Sequence, residues 1–161
     1  MDATNTTIIE FLTKPAVWTI PLYQRMYGWK RRQCEQLWKD IERLAEKGKE
    51  DSHFIGSIVY LKPGTQLQSL LKPSIVIDGQ QRMTTISLIL SALGKVMDEK
   101  NYSGEMSNDK IKDYFLKNNK EEVEKRYRLI LTKSDEETLK RVVDGEKPPS
   151  DYSKSIIENH D

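Results

Sequence analysis

The chain has 161 residues, of which 37% are apolar and 32% charged, with a formal net charge of +1. That length supports one domain with a modest core, and near-neutrality excludes a global basic surface for nucleic acid. No apolar run is long enough to span a membrane, and one cysteine with two histidines excludes a disulfide framework and a zinc centre of the usual kind.

Taken in order, residues 4–13 predict a short opening helix. Thr4, Asn5 or Thr6 would cap it, and Ile8, Ile9, Phe11 and Leu12 would make its apolar contacts. Pro15 ends it, and Val17–Ile20 reads as a strand stopped by Pro21. The loop that follows is unusual. Tyr23, Gln24, Arg25, Tyr27 and Trp29 lie between Pro21 and Lys30, and residues 13–34 hold five bases and no acid. Aromatic rings interleaved with bases can stack on a nucleobase and bind phosphate. The plainer alternative is a loop pinned to the core by Tyr23 and Trp29, with Lys30, Arg31 and Arg32 on a solvated helix face. Residues 30–47 predict an amphipathic helix with Cys34, Leu37, Trp38, Ile41, Leu44 and Ala45 as its core stripe. Cys34 on that stripe reads as a core residue, and Gly48 ends the helix.

His53–Leu61 predicts a strand interrupted by Gly56, where a bulge or the close approach of another group is expected and Ser57 stands ready to reach a ligand. A loop over Pro63–Pro73 leads to a second, β-branched strand, Ile75–Ile77. That strand runs into Asp78-Gly79-Gln80-Gln81-Arg82, and apolar residues then recur at Met83, Ile86, Leu90, Leu93 and Met97, widened by Ile89 and Val96. A polar cluster therefore sits where a strand hands over to a helix. Unpaired backbone N–H groups at a helix start suit an anion. Arg82 adds a fork of donors for two phosphate oxygens, Gly79 lets a ligand approach the backbone, and Thr84 and Thr85 add hydroxyls. Asp78 is the sole acid between residues 52 and 97. It is either a metal ligand or the group that orients Arg82. The Gly-x4-Gly-Lys spacing of a Walker loop is absent.

Beyond a polar stretch over 98–108, residues 109–117 predict a short helix and Arg126–Leu131 another strand. Ser134-Asp135-Glu136-Glu137 has the form of a capping box, opening a helix that ends at Gly145. Pro148-Pro149 predicts a linker, with Ser155–Glu158 as the first turn of a further helix.

Together the motifs Ile20-Pro21-x-Tyr23-Gln24-Arg25-x-Tyr27-x-Trp29, Phe54-x-Gly56-Ser57 and Ile77-Asp78-Gly79-Gln80-Gln81-Arg82-x-Thr84-Thr85 resemble the N-terminal domain of GmrSD-type restriction proteins, of the ParB/sulfiredoxin-like group. Arg128-Leu129-x-Leu131 with Asp135 resembles the strand and helix that follow in that family. Met26 and Met83 depart from the proline and leucine often found there.

The resemblance implies an α+β fold, a small mixed sheet flanked by helices, spanning residues 1–147. Residues 148–161 would be a linker and the start of a truncated C-terminal helical region. It implies a domain that binds and hydrolyses a nucleoside triphosphate with Mg²⁺ in defence against phage or modified DNA, and the single Cys34 fits a cytoplasmic location. The partners the resemblance implies are nucleotide, DNA through the full-length protein, and a C-terminal nuclease domain missing here; self-association is left open. The expected site comprises Arg82, Gln81, Gln80 and Arg25 as catalytic residues. Asp78, Gly79, Thr84, Thr85, Tyr23, Gln24, Gly56 and Ser57 join them in binding the nucleotide, with Asp78 on the metal. The alternative is a DNA-binding or protein-interaction module without turnover, motivated by the basic stretch 25–32.

Overall fold

The computed structural model describes residues 4–47, 53–62, 73–119 and 125–161. Its centre is a four-stranded mixed sheet of β1 (Val17–Thr19), β2 (Val59–Leu61), β3 (Pro73–Asp78) and β4 (Leu129–Ile130), in the order β2-β3-β1-β4. β1 runs parallel to both β3 and β4, and β2 is antiparallel to β3. Six α-helices flank it among the described residues: α1 (Ile8–Thr13), α2 (Arg31–Lys47), α3 (Gln80–Glu99), α4 (Asn108–Ile111), α5 (Ser134–Asp144) and α6 (Lys154–His160). A π-helical turn, Lys112–Leu116, continues α4. The expected small mixed sheet flanked by helices is therefore present. The loop expected over Pro63–Pro73 lies almost wholly outside the described residues.

Alternation along β3 turns Ser74 and Val76 inward and leaves Ile75 and Ile77 exposed. On the inner face Phe11 stacks on Trp18 at 4.7 Å between ring centroids, and Tyr60 meets Trp18 edge-on at 4.8 Å. Leu129, Leu131, Leu139, Val142 and Val143 complete this core with Ile156 of α6, which is fully buried. α6 packs on α3 and α5, so the segment after Pro148-Pro149 returns to the same core.

Several local expectations are corrected. Thr7 caps α1, not Thr4, Asn5 or Thr6. Its side chain takes the Glu10 N–H at 3.2 Å and the Glu10 carboxylate takes the Thr7 N–H at 3.0 Å. The capping box at Ser134 does not form. Lys133, at φ +56°, precedes the helix, and Glu137 reaches forward to Arg141 at 2.9 Å instead of back. The strand expected over residues 53–61 is regular only from Val59, because Gly56 at φ +104° turns the chain. The strand expected over Arg126–Leu131 is regular only over Leu129–Ile130.

The two long helices bury only part of the faces expected: of α3's stripe, Met83 is buried and Leu90 and Met97 pack on the core. On α2 Leu37 is buried, Cys34 and Leu44 are half-buried, and Trp38, Ile41 and Ala45 are exposed. On α3 Leu93 and Val96 are exposed, whereas Thr84, Thr85, Ser87, Leu88, Ser91 and Gly94 are buried. Small residues on that face let α4 and α5 come close: Ser91 Oγ donates to Val142 O at 3.0 Å, and Gly94 lies against the Asn108 side chain. The Thr84, Thr85 and Ser87 hydroxyls are satisfied by carbonyls one turn back, those of Gln80, Gln81 and Met83.

Candidate functional site

The site is assembled from three pieces of chain: the end of β3 with the first turn of α3, the loop over residues 20–29, and the irregular segment 53–58. The helix begins at Gln80, ahead of the apolar period that starts at Met83. Gly79 is its N-cap at φ +98°, and Gln80, Gln81 and Arg82 form the first turn. A side chain at 79 would be strained by that φ and would sit 3.0 Å from Ile58 Cγ1 and 3.2 Å from Ser57 O. Glycine thus lets segment 57–58 lie directly on the strand–helix junction.

Arg82 is fixed by that segment. Its Nη2 donates to Ser57 O at 2.6 Å and lies 3.6 Å from Asp78 Oδ2. A Cβ on Gly56 would be 2.5 Å from Arg82 Nη1 and 2.8 Å from Cζ, so the guanidinium packs on the bare glycine backbone. Arg82 Nε is buried without a hydrogen-bond partner among the described residues. The Asp78 side chain is 66% exposed. A separation of 3.6 Å from one Arg82 nitrogen makes Asp78 a weak partner that leaves most of its carboxylate open.

The two glutamines face the other way and hold the loop. Gln80 Nε2 donates to Arg25 O at 3.0 Å. Gln81 uses both ends of its amide: Nε2 donates to Met26 O at 3.3 Å, and Oε1 accepts the Gly28 N–H at 2.8 Å. Gln24 Nε2 returns the contact, donating to Ile77 O at 2.8 Å. Backbone groups of the loop that would otherwise lack partners are thereby paired.

Tyr27 locks the loop from below. Its N–H donates to Asp135 Oδ2 at 2.5 Å, and its hydroxyl is 2.8 Å from Thr85 Oγ1. Asn159 of α6 donates to the Tyr27 hydroxyl at 3.3 Å and to Trp29 O at 2.8 Å. Burial, and then the neighbouring Cys34 thiol, push the Tyr27 phenol well above its ordinary pKa, so it stays a neutral hydroxyl. Leu22 and Tyr23 point outward, Tyr23 being 79% exposed, and the Arg25 side chain is exposed.

Arg82, Asp78, Gly56 and Ser57 are therefore in one cluster, and Arg25 stands on the loop that Gln80 and Gln81 grip. The Thr84 and Thr85 hydroxyls are spent within the fold, donating to Gln80 O and Gln81 O of the first turn, and Thr85 Oγ1 also meets the Tyr27 hydroxyl. Asp135 is the residue that composition and spacing missed as part of the site. The resemblance includes Asp135, but it lies inside the supposed capping box, and nothing in its sequence neighbourhood shows that its carboxylate reaches across the fold to Tyr27.

Among the described residues no cluster of three or more histidine, cysteine or acidic side chains is placed to hold a metal. Asp78 fits the other mode, in which Mg²⁺ is bound by one or two carboxylates together with substrate phosphates. Among the same residues no helix is long and apolar enough to cross a membrane.

No curated protein matches the chain. The profile described as GmrSD restriction endonuclease, N-terminal domain, matches residues 8–161. This chain, with its Asp-Gly-Gln-Gln-Arg junction between strand and helix, belongs to that family.

Proposed function

We propose that the chain binds and hydrolyses a nucleoside triphosphate in the cytoplasm, and that its nucleotide state regulates a nuclease domain of the same restriction system. The observation that carries this reading is the Arg82 guanidinium. It is pre-positioned by Ser57 O and Gly56 at the start of a 20-residue helix, with a buried donor unpaired among the described residues. A preorganised arginine beside the first-turn N–H groups of a helix is suited to phosphate oxygens.

Arg82 holds the phosphates, and Arg25 approaches from the facing loop to stabilise the charge that develops in phosphoryl transfer. Asp78 would hold Mg²⁺, whose contribution when bound is to neutralise phosphate charge. Gln81, with both amide ends committed, is a positioning residue for the Arg25 loop, and the orientation of attacking water falls to Gln80. Tyr23, exposed beside Arg25, stacks on the base.

The test is phosphate release from the purified chain with Mg²⁺. Loss of a transition-state arginine costs on the order of 10³-fold in rate, so Arg82→Ala and Arg25→Ala should each abolish detectable turnover. Unchanged turnover in both variants would refute the site. A second reading, DNA recognition without turnover, is favoured by the exposure of Tyr23, Arg25, Lys30 and Arg32 on one stretch of chain. It predicts DNA binding that weakens steeply with salt and is reduced in Lys30→Ala.

A further inference from the structure

Asp135 is 2% exposed, yet only one of its carboxylate oxygens is used: Oδ2 accepts the Tyr27 N–H, and Oδ1 has no hydrogen-bond partner among the described residues. It lines a recess bounded by Arg25, Tyr27, Gln80, Gln81, Thr84 and Thr132. Buried polar atoms are nearly always paired with protein, water or ligand, so an orphan carboxylate oxygen beside a candidate site is a place where a ligand donor can replace water. A carboxylate accepts and cannot donate. It repels phosphate and demands an O–H or N–H.

We infer that this recess receives a sugar hydroxyl of the bound nucleotide, with Asp135 Oδ1 as its acceptor, so that the site selects ribonucleotides over nucleotides lacking that hydroxyl. The inference rests on the nucleotide reading above. Its geometry follows from Arg25, which is exposed, lines the same recess and draws phosphate. In a nucleotide the donors nearest the phosphates are the sugar hydroxyls, and the base lies one sugar further out. Oδ1 is shielded from water in this arrangement. For a hydroxyl to reach Oδ1 the rim of the recess must open, and Arg25, which lines it, is the residue whose turn toward phosphate would open it. Buried Thr132 supplies a second polar group to the same hydroxyl. A carboxylate reading a ribose hydroxyl is a known solution in dinucleotide-binding folds.

The experiment is equilibrium binding of the four ribonucleoside triphosphates, and of their 2′-deoxy and 3′-deoxy counterparts, with Mg²⁺. It is run on the wild-type chain, Asp135→Asn, Thr132→Val and Arg82→Ala. One hydrogen bond to a charged acceptor gives a preference on the order of tenfold or more for the ribonucleotide over at least one deoxy form. Asp135→Asn keeps a carbonyl for the Tyr27 N–H and turns an amide NH₂ toward the recess, so the preference should shrink several-fold while affinity for the disfavoured deoxy form stays near wild type. If Asp135→Asn does not fold, Thr132→Val provides the variant comparison. Equal wild-type affinities for ribo and deoxy forms, or a full preference retained in the variants, would overturn the inference and leave the nucleotide site standing. No binding of any nucleotide by wild type would overturn the nucleotide reading, and the inference with it.

Discussion

At Gly56 the absence of a side chain sets the position of another residue. The chain turns there at φ +104°, and Arg82 occupies the space a Cβ would need. Gly56→Ala therefore meets strain and collision at once. It should cost about 1–3 kcal/mol of stability, read from a denaturant midpoint, and it should displace Arg82 and weaken nucleotide binding. A variant with wild-type stability and wild-type affinity would show that the glycine does not set Arg82. At this scale the sequence was legible where chemistry is concentrated: an internal glycine in a strand announces a close approach, and Arg82 is its visitor. The roles of the glutamines were not legible. An amide can orient water or satisfy a loop backbone equally well, and only the long-range contacts of Gln81 with Met26 and Gly28 decide between them. The role of Asp135 was hidden for the same reason, since its partner is 108 residues away in sequence.

Among the elements, α3 is organised by what its neighbours need. Ser87, Ser91 and Gly94 are buried because α4 and α5 approach closely there, and Gly94 faces the Asn108 side chain. Gly94→Val should force the two helices apart, with a loss of roughly 1–3 kcal/mol as overpacking predicts. An unchanged urea midpoint would mean that Asn108 swings aside without cost. The existence and length of α3 could be read from its apolar period, but only part of the face it buries could. A helix packed on several sides has no single solvent stripe, so the pattern of leucine and valine ceases to report orientation. On α2 the error is the opposite one: Trp38 and Ile41 form a stripe that the described part of the fold leaves exposed, Trp38 by 48%.

The molecule as a whole is tied together by a few long-range polar clasps around the mixed sheet. Arg128 donates to the carbonyls of Lys117, Leu12 and Lys14, at 2.9, 2.6 and 3.0 Å, fastening α1 and the π-helical turn to the strand region. Asn159 joins α6 to the loop that carries Arg25. Strand identity was legible from β-branched runs, whereas the parallel pairing of β1 with both β3 and β4 rests on contacts across more than fifty residues. In consequence the proposed site draws on residues from Tyr23 to Asn159, and a ligand bound there should stabilise the whole fold. The most direct test is thermal unfolding of the chain with each ribonucleoside triphosphate and Mg²⁺, beside Arg82→Ala. At 100 times its dissociation constant a ligand contributes about 2.7 kcal/mol, a rise of roughly 5–10 °C for a chain of this size. A rise with at least one nucleotide that vanishes in Arg82→Ala is the predicted result. A melting temperature that no nucleotide moves, or one that moves equally in Arg82→Ala, would contradict the account.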